Sequence, residues 1–146
     1  MLSKIIPQTA DEAQYNIAWP VAASLVYGDF GMEQVREENL GEPRVVEMME
    51  KLRFAVDETM EARFPAQRIC KAEIITKDGR TFVSAECEPR GEAKENIGVD
   101  WLCAKFLRLT APVLTEEGQQ KLIDLITGNE DVSIRTIVDT ANAYLK

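Results

Sequence analysis

The sequence predicts an α+β fold: a small antiparallel sheet built on a β-hairpin and covered by helices. Three observations lead there. Apolar residues recur at helical spacing in the first and last thirds of the chain. Between them, residues 70–87 alternate with period two about an Asp78-Gly79 turn. The order is helices, then strands, then helices, without the strand–helix alternation of a parallel sheet. No internal repeat, low-complexity segment or linker breaks the 146 residues, so residues 1–146 are expected to form a single domain large enough for its own core.

The first helix opens at Thr9-Ala10-Asp11-Glu12, a capping box in which Thr9 accepts from a free backbone N–H and Glu12 reaches back. Ala13, Ile17, Val21 and Leu25 follow at helical spacing. Pro20 lies inside this pattern, removes one donor, and should kink or divide the helix. Gly28 is its natural stop. A second helix is predicted from Met32 to about Glu38, ended by Gly41, and a third from Pro43, with Val45, Met49 and Leu52 as its apolar stripe. Phe54 and Val56 share one face of a short predicted strand. Residues 57–66, polar and containing Pro65, are predicted to be a connection.

Asp78-Gly79 suits a two-residue type I′ turn. Centring the hairpin there pairs Cys70 with Cys87, Ala72 with Ala85, Ile74 with Val83 and Thr76 with Thr81 on a face expected to be buried. The other face pairs Lys71 with Glu86, Glu73 with Ser84 and Ile75 with Phe82. Opposite charges at Lys71 and Glu86 favour this register over a one-residue slip. Residues 88–98 form a polar loop. Leu102, Phe106 and Leu109 then mark a helix interrupted near Pro112. Thr115 opens another, burying Leu122, Leu125 and Ile126 and ending at Gly128. Ser133 caps the last helix, which should bury Ile134, Ile137, Val138, Ala141 and Leu145.

Composition removes several functions. The net charge of −8, from 25 acidic and 17 basic residues, repels phosphate backbones, so no nucleic acid is expected as partner. Anionic membranes are disfavoured for the same reason, and no apolar run approaches the length of a membrane span. Met1-Leu2-Ser3-Lys4 turns polar too early for a signal peptide, and a cytoplasmic location is expected. The chain has no histidine, which removes the commonest general base near neutral pH and the commonest metal ligand. A Ser-His-Asp or Cys-His site cannot be built from it alone. Cys70, Cys87 and Cys103 show no CxxC spacing and signal neither zinc nor a secreted disulfide framework. Glu47, Glu50, Asp57, Glu58 and Glu61 lack fixed ligand spacing and are taken as a solvated acidic face. Neither a metal nor a cofactor is expected.

Three residues stand as candidates for gripping a small anion. Arg90 and Lys94 are cations on the loop after the hairpin, where they can hold a carboxylate. Solvated loop charge is the plainer reading for both. Tyr15 lies one helical turn before Trp19, a pair that either faces a ligand or packs in the core. Ala22 and Val26 continue that face and favour packing. Cys70 and Cys87 fall opposite each other as a non-hydrogen-bonded pair, close enough for a disulfide, with two reduced thiols favoured in a reducing compartment.

Several segments together resemble one family. Ala13-Gln14-Tyr15-Asn16-Ile17-Ala18-Trp19-Pro20-Val21-Ala22-Ala23-Ser24-Leu25 is similar to the first helix of the MmgE/PrpD C-terminal domain. Pro43-Arg44-Val45, the hairpin from Ile74 to Phe82, Pro89-Arg90-Gly91, Asn96 and Ala104-Lys105-Phe106 resemble the same family in the same order. The resemblance implies a lid-type α+β domain without the family's N-terminal helical domain. It also implies kinship with 2-methylcitrate dehydratases, cis-aconitate decarboxylases and an iminodisuccinate epimerase, generally dimeric enzymes of small polycarboxylates. Their chemistry is proton removal or loss of a group next to a carboxylate. The family's histidine-bearing segments lie mainly in the helical domain, so no catalytic residue carries over to this chain. Two functions are therefore expected in competition. One is a lid that is inactive alone and works with a helical partner domain or as a homodimer. The other is a non-catalytic binding or assembly module that keeps the fold.

Overall fold

The computed structural model describes residues 3–91, 95–128 and 131–146. The chain gathers into two units, residues 1–64 and 65–146. The first holds α1 (Ala10–Gln14), α2 (Ala18–Tyr27), α3 (Met32–Val35), a 3₁₀ turn (Glu37–Asn39), α4 (Pro43–Lys51) and α5 (Glu58–Glu61). The second holds the antiparallel strands β1 (Glu73–Ile75) and β2 (Thr81–Val83), then α6 (Val99–Thr110), α7 (Glu116–Thr127) and α8 (Ile134–Ala143). With helices before and after a small antiparallel sheet in chain order, the class is α+β, as the sequence predicts.

In residues 1–64 the predicted long first helix is divided, but at Tyr15–Ile17 rather than at Pro20. The cause is Asn16, which is buried. Its Oδ1 accepts from the N–H groups of Ala18 and Trp19, both at 2.8 Å, and its Nδ2 donates to the Ile5 carbonyl at 2.6 Å. Asn16 thus closes one end of α2 much as a cap does, a contribution of about 1 kcal/mol. Pro20 then falls in the first turn of α2, where its missing donor costs nothing.

The restart changes the buried stripe. Ala18, Trp19, Ala22 and Ala23 are buried, whereas Val21 and Leu25 of the predicted stripe are exposed. Trp19 is core, as the packing reading of its face expects; its Nε1 donates to the Gln34 carbonyl at 2.8 Å. Tyr15 is not core: it ends α1 with 72% of its surface exposed. α2 packs against α4, where Val45 is buried and Met49 and Leu52 are half-buried against the same cluster. Gly28 ends α2 at φ 81° and Pro43 begins α4, both as predicted. No strand forms at Phe54–Val56. The Phe54 ring lies instead beneath Lys4, 4.8 Å from ring centre to Nζ. The predicted connection after it contains α5, started by Asp57, whose carboxylate accepts from the N–H groups of Thr59 and Met60.

In residues 65–146 the hairpin pairs Glu73 with Val83, Ile74 with Phe82 and Ile75 with Thr81, one residue off the predicted register. Asp78 keeps negative φ, so a type I′ turn cannot form. Lys77, Asp78 and Gly79 make a three-residue loop instead. The Gly79 N–H donates to the Thr76 carbonyl at 2.9 Å, the Thr76 N–H donates to the Arg80 carbonyl at 2.9 Å, and Gly79 turns at φ 84°. The Asp78 carboxylate favours this form: it accepts from the Thr76 hydroxyl and pairs with Arg80 Nε at 2.8 Å. Those contacts, Thr76 first, hold its pKa below the ordinary value. Cys70 and Cys87 still end up opposite each other, because Ala85 and Glu86 together face Lys71 and absorb the offset as a bulge. They exchange both backbone hydrogen bonds at 2.9 Å, so theirs is a hydrogen-bonded pair, exposed and unbridged rather than set in a core.

Both strands are exposed along their length, against the expectation of one buried face. Ile74, Ile75, Phe82 and Val83 all face solvent within this chain. The helices show the same departure. Leu102 and Leu109 of α6, Ile126 of α7, and Ile134 and Val138 of α8 are exposed, as is Leu145. What this unit does bury centres on Leu114, Gly118, Gln119 and Leu122. The Thr115 hydroxyl caps α7 and Ser133 caps α8, both as predicted. Gln119 Nε2 donates to the Leu107 carbonyl and to Thr110 Oγ1, each at 2.7 Å, tying α6 to α7.

Two substitutions test these local reasons. A Cβ on Gly118 would fall far inside contact distance of Tyr144 Cβ, and 2.8 Å from Tyr144 Cγ. Alanine gains about 1 kcal/mol of helix propensity. Two backbone-fixed Cβ atoms cannot rotate apart, however, so overpacking of about 1–3 kcal/mol wins. Gly118→Ala should lower the denaturation midpoint, and adding Tyr144→Ala, which keeps the Cβ, should not restore it. At Gly79 no atom lies within 4 Å of an added Cβ, so the cost is backbone alone. Gly79→Val should destabilise by about 1–3 kcal/mol, and Gly79→Asn by less, because asparagine tolerates positive φ. Equal midpoints for the two variants would contradict the turn described.

Candidate functional site

Of the two loop cations predicted from the sequence to grip an anion, Arg90 lies among the described residues, on the loop after β2. Gly91 turns there at φ 100°. Its N–H donates to Glu95 Oε2 at 2.8 Å, while Glu95 Oε1 lies 3.7 Å from Arg90 Nε. A guanidinium and a backbone N–H thus converge on one carboxylate, and that carboxylate is the chain's own Glu95. Cation plus N–H is what a bound carboxylate needs. Arg90 and Glu95 are both substantially exposed, so their pair is weakened by water.

Of the other candidates, Lys94 lies outside the described residues. Tyr15 is exposed but belongs to the other unit, at the end of α1. Arg90 and Gly91 are therefore the two groups seen together. Glu95 went unnoticed in the sequence; its signal was a carboxylate a few residues past the Pro89-Arg90-Gly91 turn, able to fold back on it.

A second cluster also escaped the sequence reading. Lys121 Nζ donates to the Tyr144 hydroxyl and pairs with Glu117 at 2.9 Å, and the Tyr144 hydroxyl donates to Glu117 at 3.3 Å. The hydrogen bond to Tyr144, then that to Glu117, raises the Lys121 pKa above its ordinary value. The same ammonium lowers the Glu117 pKa. A lysine acting as general base needs the opposite shift. This triad clamps the end of α8 onto α7. Among the described residues, no group of three or more His, Cys, Asp or Glu side chains is placed to hold a metal ion. Of the acidic residues set aside earlier as a solvated face, Glu47 pairs with Lys51 at 2.7 Å and Asp57 caps α5.

A family model described as the MmgE/PrpD C-terminal domain matches residues 2–131. The chain belongs to the MmgE/PrpD family. The match takes in α1 to α7, the hairpin and the Arg90 loop, so the C-terminal-domain resemblance of the separate segments holds over most of the chain. A search of curated proteins gave no match. No helix among the described residues is long and apolar enough to cross a membrane.

Within this MmgE/PrpD domain the Arg90–Glu95 pair is an exposed loop contact. Arg90→Ala should therefore change unfolding free energy by no more than about 0.5 kcal/mol. A larger loss in chemical denaturation would make Arg90 a structural residue and remove it as a free grip for ligands.

Proposed function

We propose that this chain supplies the lid and part of the substrate-binding surface of a MmgE/PrpD-type enzyme of small polycarboxylates, and is inactive alone. A helical partner domain supplies the groups that move protons. The observation that carries this reading is the pairing of Arg90 and the Gly91 N–H on a carboxylate, in a chain that has no histidine. Such a site binds and orients an anion, but a guanidinium does not deprotonate and cannot act as the base.

The net charge of −8 works against any anionic ligand at long range. Local cations are therefore needed, and Arg90 and Lys94 are those we assign; Tyr15 is proposed separately, as a residue of 1–64 that touches substrate or partner. Glu95 competes for Arg90 and the Gly91 N–H until substrate carboxylate displaces it. The chemistry completed by the partner is proton abstraction or group loss next to a carboxylate. The same reading puts the assembly in the cytoplasm as a dimer. The exposed apolar residues of 65–146 favour a chain that works with a partner, as a lid or as an assembly module, because such a surface on a lone chain is unusual.

The purified chain should turn over neither 2-methylcitrate nor cis-aconitate. Titration with either, followed by amide NMR, should shift the Gly91 resonance. Glu95→Gln should enlarge the shift at a given concentration, and Arg90→Ala should abolish it. Turnover that is abolished by a mutation within this chain would contradict the lid reading. Absence of any Gly91 shift would remove the assigned grip.

A further inference from the structure

The two cysteines at the base of the hairpin are brought face to face by a bulge. β1 and β2 pair Glu73 with Val83, Ile74 with Phe82 and Ile75 with Thr81. Carried outward unchanged, that register would set Cys70 opposite Glu86. Instead Ala85 and Glu86 together face Lys71, and the extra residue brings Cys87 opposite Cys70. Each of the two donates its backbone N–H to the other's carbonyl at 2.9 Å. A hydrogen-bonded antiparallel pair has its Cα atoms about 5.5 Å apart, with both side chains on one face of the sheet. A disulfide needs a Cα separation of roughly 4.4–6.8 Å, so the bond is within reach of the existing backbone.

The setting differs from that of inert core thiols. Both cysteines are exposed, so a dissolved oxidant or reductant can reach either sulfur. Cys87 Sγ donates to the Ala85 carbonyl at 3.4 Å, a weak hydrogen bond that rotation about its Cα–Cβ bond gives up at little cost. The third cysteine, Cys103 on α6, is half-buried. The hairpin also has a use for a covalent tie, because no residue of β1 or β2 is buried. A bond between residues 70 and 87 closes the base of the hairpin and limits the freedom its strands gain when they separate.

We propose that Cys70 and Cys87 form a reversible redox site, open as two thiols under reducing conditions and closed as a disulfide that staples the hairpin. The oxidant is a small-molecule disulfide of the glutathione type. The thiolate of one cysteine attacks it, forms a mixed disulfide and releases one small thiol. The thiolate of the other then attacks the protein sulfur of that mixed disulfide, forms the Cys70–Cys87 bond and releases a second small thiol. Two electrons and two protons leave the protein and end on the two released thiols. Because the pair is exposed, excess thiol reverses the closure, whereas a disulfide enclosed in a core resists it. The resting form in a reducing compartment is therefore the dithiol. The site uses neither Arg90 nor any bound carboxylate, so it stands or falls apart from polycarboxylate binding.

The test equilibrates the intact chain with oxidised glutathione, or with excess dithiothreitol, then alkylates free thiols and maps the peptides by mass spectrometry. The oxidised chain should lose two hydrogens, keep Cys103 open to alkylation, and yield a peptide linking Cys70 to Cys87. The closed fraction should not change with protein concentration, since the bond lies within one chain. Dithiothreitol should return all three thiols. On closure, amide exchange should slow by about tenfold or more in β1 and β2 and stay unchanged in α2 and α4. Cys70→Ser and Cys87→Ser, small changes at exposed positions, should each abolish both the link and the slowing. A link to Cys103, links between chains only, or glutathione retained on Cys70 or Cys87 with no bond between them would overturn the proposal. A Cys70–Cys87 bond in the wild-type chain that leaves hairpin exchange unchanged would also overturn it, because the pair would then staple nothing.

Discussion

Everything distinctive about residues 65–146 depends on one constraint: a two-stranded hairpin cannot bury its own apolar side chains. Ile74 and Phe82 lie on one face, Ile75 and Val83 on the other, and all four remain exposed. What holds the hairpin within this chain is backbone pairing, the Gly79 turn and the Thr76–Asp78–Arg80 contacts. Net hydrogen-bond contributions are small, on the order of 1 kcal/mol each, and ion pairs in water are worth less. The same shortage appears in α6 and α8, neither of which has a buried residue. The surface so left open is the physical reason for reading the chain as part of a larger assembly.

Residues 1–64 meet the opposite condition. Asn16 fixes where α2 begins, and that start decides which residues face α4. Trp19 is then buried, with its polar N–H satisfied by the Gln34 carbonyl. A buried indole with a hydrogen-bond partner holds a core without a polar penalty. The small residues Ala22 and Ala23 let α2 approach its neighbours closely. Of the candidate residues, Tyr15 is the one on this side, and it stays exposed.

What the sequence made legible was punctuation. Gly28, Pro43, Thr115, Gly128 and Ser133 mark helix ends where they stand, because caps and breakers act on the backbone within a residue or two. The α+β class and the C-terminal-domain resemblance followed from element order and local segments. Illegible was anything set by a competing side chain. Asn16 reads as an ordinary polar residue until its two acceptor bonds are seen, and it moved the buried stripe off Ile17, Val21 and Leu25. Asp78 reads as half of a type I′ turn, yet its carboxylate prefers Thr76 and Arg80, and the register slips by one. Burial was misjudged wherever apolar periodicity was equated with an internal core; Ile134 keeps the period and is 80% exposed. At the candidate site Arg90 was legible as a loop cation, whereas Glu95, a carboxylate a few residues on, becomes its partner only through the turn at Gly91.

Native-state hydrogen exchange on the intact chain at high dilution tests the central claim most directly, since it reports local opening segment by segment. If residues 65–146 lack cover of their own, amides of β1, β2 and α8 should exchange at least about tenfold faster than those of α2 and α4. Protection in the hairpin equal to that around Trp19 would contradict the account. It would mean that the exposed faces of Ile74, Ile75, Phe82 and Val83 need nothing laid against them.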